Sequence, residues 1–148
     1  MWGWHKIDIE RAWALSKGSG VVVAVIDSGI DFIHPEFTNN IWSNINEIAG
    51  NGIDDDANGY TDDINGWDFV NTDNDPADDN GHGTHVTGII AARNNTIDVV
   101  GVAPDAVAYA VKVLDAQGNG SDSTVLAGLD WIAQNATLLS PPIRVVNA

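Results

Sequence analysis

Val21-Val22-Val23-Ala24-Val25-Ile26 is an unbroken apolar run in which five of six residues are β-branched, bounded by Gly20 and Asp27. Branching at Cβ restricts χ1 and favours a pleated surface. A run with no polar alternation has neither face in water, which predicts a strand buried on both sides, and such strands belong to parallel sheets. Helices must then cover both faces.

The rest of the chain supplies the parts. A second run, Ala106 to Leu114, and a third beginning Ile143-Arg144-Val145-Val146, fit the same sheet. Helical patterns lie between them at Thr84 to Arg93 and at Ser123 to Asn135, where Val125, Leu126, Leu129 and Ile132 recur at helical spacing. An opening helix is expected over about 9–16. Strands alternating with helices predict an α/β domain, a mostly parallel sheet flanked by helices. At 148 residues and 44% hydrophobic content the chain is long enough and apolar enough for one domain with its own core. It ends at Val145-Val146-Asn147-Ala148, inside or just beyond a strand with no helix to cover it, so a domain truncated before its C-terminal half is expected.

Charge narrows the function. A formal net charge of -15 excludes the clustered Lys and Arg that bind nucleic acid phosphates. No apolar run approaches the roughly 20 residues of a membrane span, and the first residues lack the basic flank and apolar stretch of a secretion signal. The absence of cysteine removes disulfides, thiolate metal sites and cysteine nucleophiles.

Between Lys17 and Arg93 there is no Lys or Arg, while aspartates crowd the stretch from Asp54 to Asp79. Residues 37–80 are rich in Asn, Asp and Gly, with Trp42, Tyr60, Trp67 and Phe69 between them. That composition reads as a long ordered excursion, because a flexible linker has little use for aromatics. A block of like charge repels itself unless it is solvated or neutralised by a cation.

Within the block, Asp54, Asp56, Asn58, the Tyr60 carbonyl and Asp62 alternate around Gly59, as oxygen ligands do in calcium loops of the EF-hand kind. The twelfth position is Asn65 where such loops carry glutamate, and Asp63 could substitute. A solvated acidic loop without metal is the alternative.

Two further segments carry chemistry. The strand ending Val25-Ile26-Asp27-Ser28-Gly29 delivers a carboxylate to its C-terminal edge, where open α/β sheets place their sites; a helix cap or turn former is the plainer reading of that Asp. In Asn80-Gly81-His82-Gly83-Thr84-His85-Val86-Thr87-Gly88, His82 stands at the mouth of a helix whose small residues permit close packing on the sheet. A zinc pair of His82 and His85 is the competing reading, but the two stand three apart and lack the intervening glutamate of zinc peptidase helices. His85 alone reads as a packed core histidine.

Asp27-Ser28-Gly29 followed by Gly81-His82-Gly83-Thr84-His85-Val86-x-Gly88 resembles the aspartate and histidine signatures of the subtilase family, the subtilisin-like serine peptidases. Ile30-Asp31, His34-Pro35-Glu36-Phe37, Val102-Ala103-Pro104, Tyr109 to Leu114, Gly118 to Ser121 and Leu126 to Trp131 extend the likeness over about residues 4–147. The resemblance implies a subtilisin-like fold, with residues 1–148 a partial peptidase domain carrying an acidic, calcium-binding insertion at about 44–79. It implies a serine endopeptidase in which Asp27 orients His82 and His82 is the general base and acid. Gly118, Asn119 and Gly120 would pair with an extended polypeptide substrate, and Leu114 and Val125 would wall an apolar subsite; an ordinary Gly-rich turn is the alternative.

The family's nucleophile lies in a Gly-Thr-Ser-Met-Ala-like segment, and none of Ser16, Ser19, Ser28, Ser43, Ser121, Ser123 or Ser140 has that context. Asn147 does not match the family's oxyanion asparagine. The 148 residues alone are therefore expected to be inactive. Structural calcium, secretion and a pro-segment partner follow from the resemblance as well. Two other classes stay open, a catalytically dead binding module and a calcium-dependent adhesion or stability module.

Overall fold

The computed structural model describes residues 2–97 and 99–148. The first apolar run becomes β1 (Val22–Asp27), every residue of it buried. It pairs in parallel with β3 (Val107–Lys112) along its whole length, Val22 opposite Val107 and Asp27 opposite Lys112. On its other side it pairs in parallel with β4 (Ile143–Asn147). A three-residue strand, β2 (Gly66–Asp68), adds to the free edge of β3, giving the order β2-β3-β1-β4. The parallel sheet flanked by helices matches the expectation; β2 does not appear in it.

The two faces differ in side-chain size, and that difference places the helices. Val22, Ala24 and Ile26 of β1 join Tyr109 and Val111 of β3 on one face, under Trp42, Trp131 and Ile132. Trp131 stacks on Tyr109 with ring centroids 4.7 Å apart. It is carried by α4 (Asp122–Asn135), which begins in a capping box between Ser121 and Thr124. The buried stripe of α4 is Gly128, Trp131 and Ile132, with Val125 half-buried, while Leu126 and Leu129 face outward. The expected apolar face is thus rotated, because Gly128 lets the helix settle against Val111 and Val113.

On the opposite face Val23, Val25, Ala108 and Ala110 meet Val86 and Ile90. These belong to α3 (His82–Ala91). Alanines on β3 leave room for the helix to lie close. The closest approach is at Gly83, where an added Cβ would collide with the carbonyl oxygen of Gly29 and stand 3.2 Å from Asp27 Cβ. Gly88, also expected to serve this packing, has only Phe37 at 4.0 Å.

Other expectations shift in detail. The opening helix is two short ones, α1 (Trp2–Lys6) and α2 (Ile9–Trp13), broken where Asp8 adopts φ 54°. β4 buries only Ile143 and exposes the rest of its run, since it is the last strand of the sheet. The acidic excursion is ordered, as its aromatics implied. Trp42 N–H bonds the Ala108 carbonyl at 2.8 Å, and Tyr60 lies edge-on to Trp67, Phe69 and Trp131. No helix among the described residues is long and apolar enough to cross a membrane.

The two glycines of α3 separate packing from propensity. Gly83→Ala should cost about 2–4 kcal/mol in urea unfolding, the scale of a backbone clash in a packed site. Gly88→Ala should be neutral or stabilise by up to about 1 kcal/mol through helix propensity.

Candidate active site

Asp27 is the last residue of β1, and its backbone continues the sheet while its side chain stands at the rim. The carboxylate accepts the Ser28 N–H at 2.7 Å. His82 Nδ1 lies 2.8 Å from one oxygen and 3.0 Å from the other. An ionised carboxylate can only accept, so the neutral ring carries its proton on Nδ1 and leaves Nε2 as the free base. Asp27 is buried and His82 mostly exposed, so the far edge of the ring opens to solvent. The hydrogen bond that His82 donates to Asp27, and then the Asp27 charge, raise the His82 pKa above the usual 6.5; burial opposes this and Asp78 adds to the rise.

His82 begins α3 after Gly81 at φ 102°, a left-handed turn that glycine adopts without strain. The first turn is fastened from below. Asp78 accepts the N–H groups of Asn80, Gly81 and Thr84 at 3.0, 2.9 and 2.9 Å. Ser28 Oγ accepts the Gly83 N–H at 2.9 Å. Neither Asp78 nor Ser28 was among the expected site residues, because an Asp before a glycine-rich turn looks like any turn former.

His85 is exposed on the flank of α3 away from Asp27, lining a cavity with His34, Phe37 and Ile89. It is not core, and it belongs to no group of three or more ligand atoms with His82: the one such group of His and carboxylate ligand atoms among the described residues is Glu47, Asp54 and Asp56.

The Gly118 to Gly120 segment comes to the same corner. Asn80 Nδ2 donates to the Ala116 carbonyl at 3.1 Å and stands 3.5 Å from where a Gly118 Cβ would be. The loop closes on Asp115, whose carboxylate accepts the N–H groups of Gln117 and Asn119. Gly118, Asn119 and Gly120, the residues expected to contact substrate, are all exposed. Leu114 and Val125 are half-buried and pack on the core beneath α4.

The acidic loop is a separate place. Glu47, Asp54 and Asp56 each bring a carboxylate oxygen within 4.8 Å of the others. Asp63 is buried beside them, bonded by the amides of Asn44 at 2.8 Å and Asn58 at 3.0 Å. Burial raises its pKa to about 6, with Asp56 and Glu47 adding to the rise and the two amides opposing it. Partly buried oxygen donors, crowded and without a basic side chain among them, fit a hard dication.

Of the expected ligands, Asp54 and Asp56 are in this group and Asp62 is not. Asp62 turns away to accept the N–H groups of Asn51 and Gly52 at 3.2 and 3.0 Å. Tyr60 places its ring in the aromatic cluster, and its N–H bonds Asn58 Oδ1. Ala57, Gly59 and Asp62 all have positive φ. Glu47, outside the expected set, lies with Asp54 and Asp56, and its carboxylate also accepts the N–H groups of Asp55, Asp56 and Asp62.

Known proteins resemble this chain over most of its length. Thermitase of Thermoactinomyces vulgaris is 35% identical over 141 residues, 94% of this chain and 43% of that protein. Subtilisin Savinase of Lederbergia lenta is 45% identical over 135 residues, 90% of this chain and 41% of the other. A cold adapted subtilisin-like serine proteinase of known crystal structure shares the fold at a TM-score of 0.59 and 35% identity, over 81% of this chain and 34% of that one. The chain spans less than half the length of these relatives. The Subtilase family model matches residues 18–148, which takes in both β1 with Asp27 and α3 with His82, and the chain belongs to that family.

Proposed function

We propose that the protein is a serine endopeptidase in which Asp27 and His82 form two thirds of an Asp-His-Ser triad. The observation that carries this reading is the contact of His82 Nδ1 with Asp27 at 2.8 Å, which leaves Nε2 free at an open rim. In that arrangement Nε2 takes the proton of a serine hydroxyl as its oxygen bonds the scissile carbonyl carbon. Asp27 stabilises the imidazolium that results, and the proton passes to the leaving amine when the C–N bond breaks. Water then repeats the cycle on the acyl-enzyme, His82 again taking and returning one proton. The nucleophile belongs to residues outside these 148, since Ser28 is engaged with Asp78 and Gly83, and the 148 residues alone are inactive.

The substrate is an extended polypeptide lying along Gly118, Asn119 and Gly120, whose small side chains let a strand pair with the backbone, with Leu114 and Val125 contributing to an apolar subsite. The same edge suits a pro-segment. Secretion accords with the calcium reading, since that ion is plentiful outside cells.

Calcium is a structural ion in the acidic loop, held by Glu47, Asp54 and Asp56 with Asn58, the Tyr60 carbonyl and Asp63 nearby. It supplies charge neutralisation and a tether for the loop.

Three measurements test the reading. The complete protein made from its gene should be labelled by a serine-directed fluorophosphonate, and an unlabelled protein that still binds peptides would favour the dead binding module. Asp27→Ala and His82→Ala should lower kcat by roughly 10^4-fold and 10^6-fold, the scale known for a subtilisin. Because only neutral His82 can act as base and its pKa is raised, kcat/KM should fall with an acid limb above pH 6.5.

Calcium at a hundred times its Kd should stabilise the protein by about 2.7 kcal/mol. Asp54→Asn together with Asp56→Asn should abolish that gain in thermal unfolding, and an unchanged Tm on adding calcium and on chelation would remove the ion from this account.

A further inference from the structure

Ser28 follows Asp27 directly, and both of its oxygens are held. Its hydroxyl donates to Asp78 Oδ1 at 2.8 Å while accepting the Gly83 N–H. Its carbonyl accepts from Lys112 Nζ at 2.6 Å. Lys112 is buried and also donates to Asp79 at 2.6 Å and to the Leu114 carbonyl at 3.1 Å. The successive residues Asp78 and Asp79 therefore fasten the end of β1, one through a serine hydroxyl and the other through a lysine.

Asp78 does more than close a turn. One oxygen accepts from Ser28, Asn80 and Gly81, and the other from the N–H and hydroxyl of Thr84. Thr84 Oγ1 in turn accepts the Asp31 N–H at 3.0 Å, from the chain just beyond β1. One carboxylate thus bonds the strand that carries Asp27 and the helical turn that carries His82. Capping alone would need no bond to Ser28.

We propose that Asp78 is a positioning residue of the reaction, setting the separation and orientation of Asp27 and His82 through Ser28 and the first turn of α3. Its charge is present throughout the range in which histidine titrates. Burial would raise its pKa, but the Thr84 hydroxyl and the N–H groups of Gly81, Thr84 and Asn80 prevail and hold it at about 2. The charged groups acting on the imidazole are Asp27 from β1 and Asp78 from the loop. The Lys112–Asp79 pair bridges β3 to that loop, Asp31 lies beyond β1, and His85 sits one turn along α3.

The inference rests on the peptidase reading, but titration of the imidazole reports on Asp78 whether or not a peptide bond is cut. In the complete protein, Asp78→Asn retains one oxygen and turns an amide N–H₂ toward the Thr84 N–H, where no bond can form. It should lower kcat roughly ten- to a hundredfold with KM little changed, the scale of a small misplacement of reacting groups. The His82 midpoint, read by NMR, and the acid limb of kcat/KM should both move to lower pH because the Asp78 charge is gone, and the kcat loss should persist above that limb, where His82 is neutral in both proteins, which the lost charge alone would not do.

A folded Asp78→Asn with wild-type midpoint and kcat overturns the proposal. If that variant fails to fold, Ser28→Ala decides, since it removes the Asp78–Ser28–Gly83 link while leaving the bonds of Asp78 to Asn80, Gly81 and Thr84. A fall in kcat of roughly two- to tenfold for each of the two hydrogen bonds lost supports the link, and an unchanged kcat overturns it. If wild type cuts no peptide, the peptidase reading fails, while a His82 midpoint that does not move in Asp78→Asn fails this one.

Discussion

The structure depends on how closely α3 can approach the end of β1. Asp27 and His82 sit on different elements, and a hydrogen bond of 2.8 Å between them leaves little tolerance in the packing beneath. That packing consists of alanines on β3, a glycine at position 83 and the Ser28 hydroxyl reaching up to the helix. A side chain at position 83 would lift the helix off Gly29 and carry the imidazole with it. The electrostatics follow the geometry. His82 is held basic by a carboxylate whose own position is set by the strand.

The opposite face obeys another demand. Its large residues, Tyr109, Trp131 and Trp42, fill the space under α4 and join the acidic excursion through Tyr60. Hydrophobic burial therefore anchors a loop whose charges repel. Burial, with a smaller push from Asp56 and Glu47, raises the Asp63 carboxyl to about 6. The carboxylates of Glu47, Asp54 and Asp56 gather with no Lys or Arg bonded to them among the described residues, whereas the Asp27–His82 corner is held by its own hydrogen bonds. The chain thus contains two acidic places of different kinds.

Much of the arrangement was legible in the residues. The runs at 21–26 and 106–114 read as buried strands, the first because it is short, apolar and mostly β-branched, the second because it is short and apolar but for Lys112. Asp27 at the end of one and His82 at the mouth of a helix were legible from their neighbours. β2 was not, because Gly66-Trp67-Asp68 is too short to show a period and forms only where β3 offers an edge. The face of α4 was misjudged for a related reason: Leu126 and Leu129 look like core, but Gly128 lets the helix turn Trp131 inward.

By itself the chain determined the three longer strands, the helices α3 and α4 and the residue types at each strand end, because burial and backbone preference act over a few neighbours. Only the tertiary structure decided that Ser28, Asp78 and Lys112 meet beneath His82, that Glu47 joins Asp54 and Asp56, and that Asp62 does not. Those contacts depend on positive φ angles in the loop and on the depth to which a helix settles on a sheet. Neither leaves a periodic mark, since both are properties of surfaces that exist only once the chain has folded.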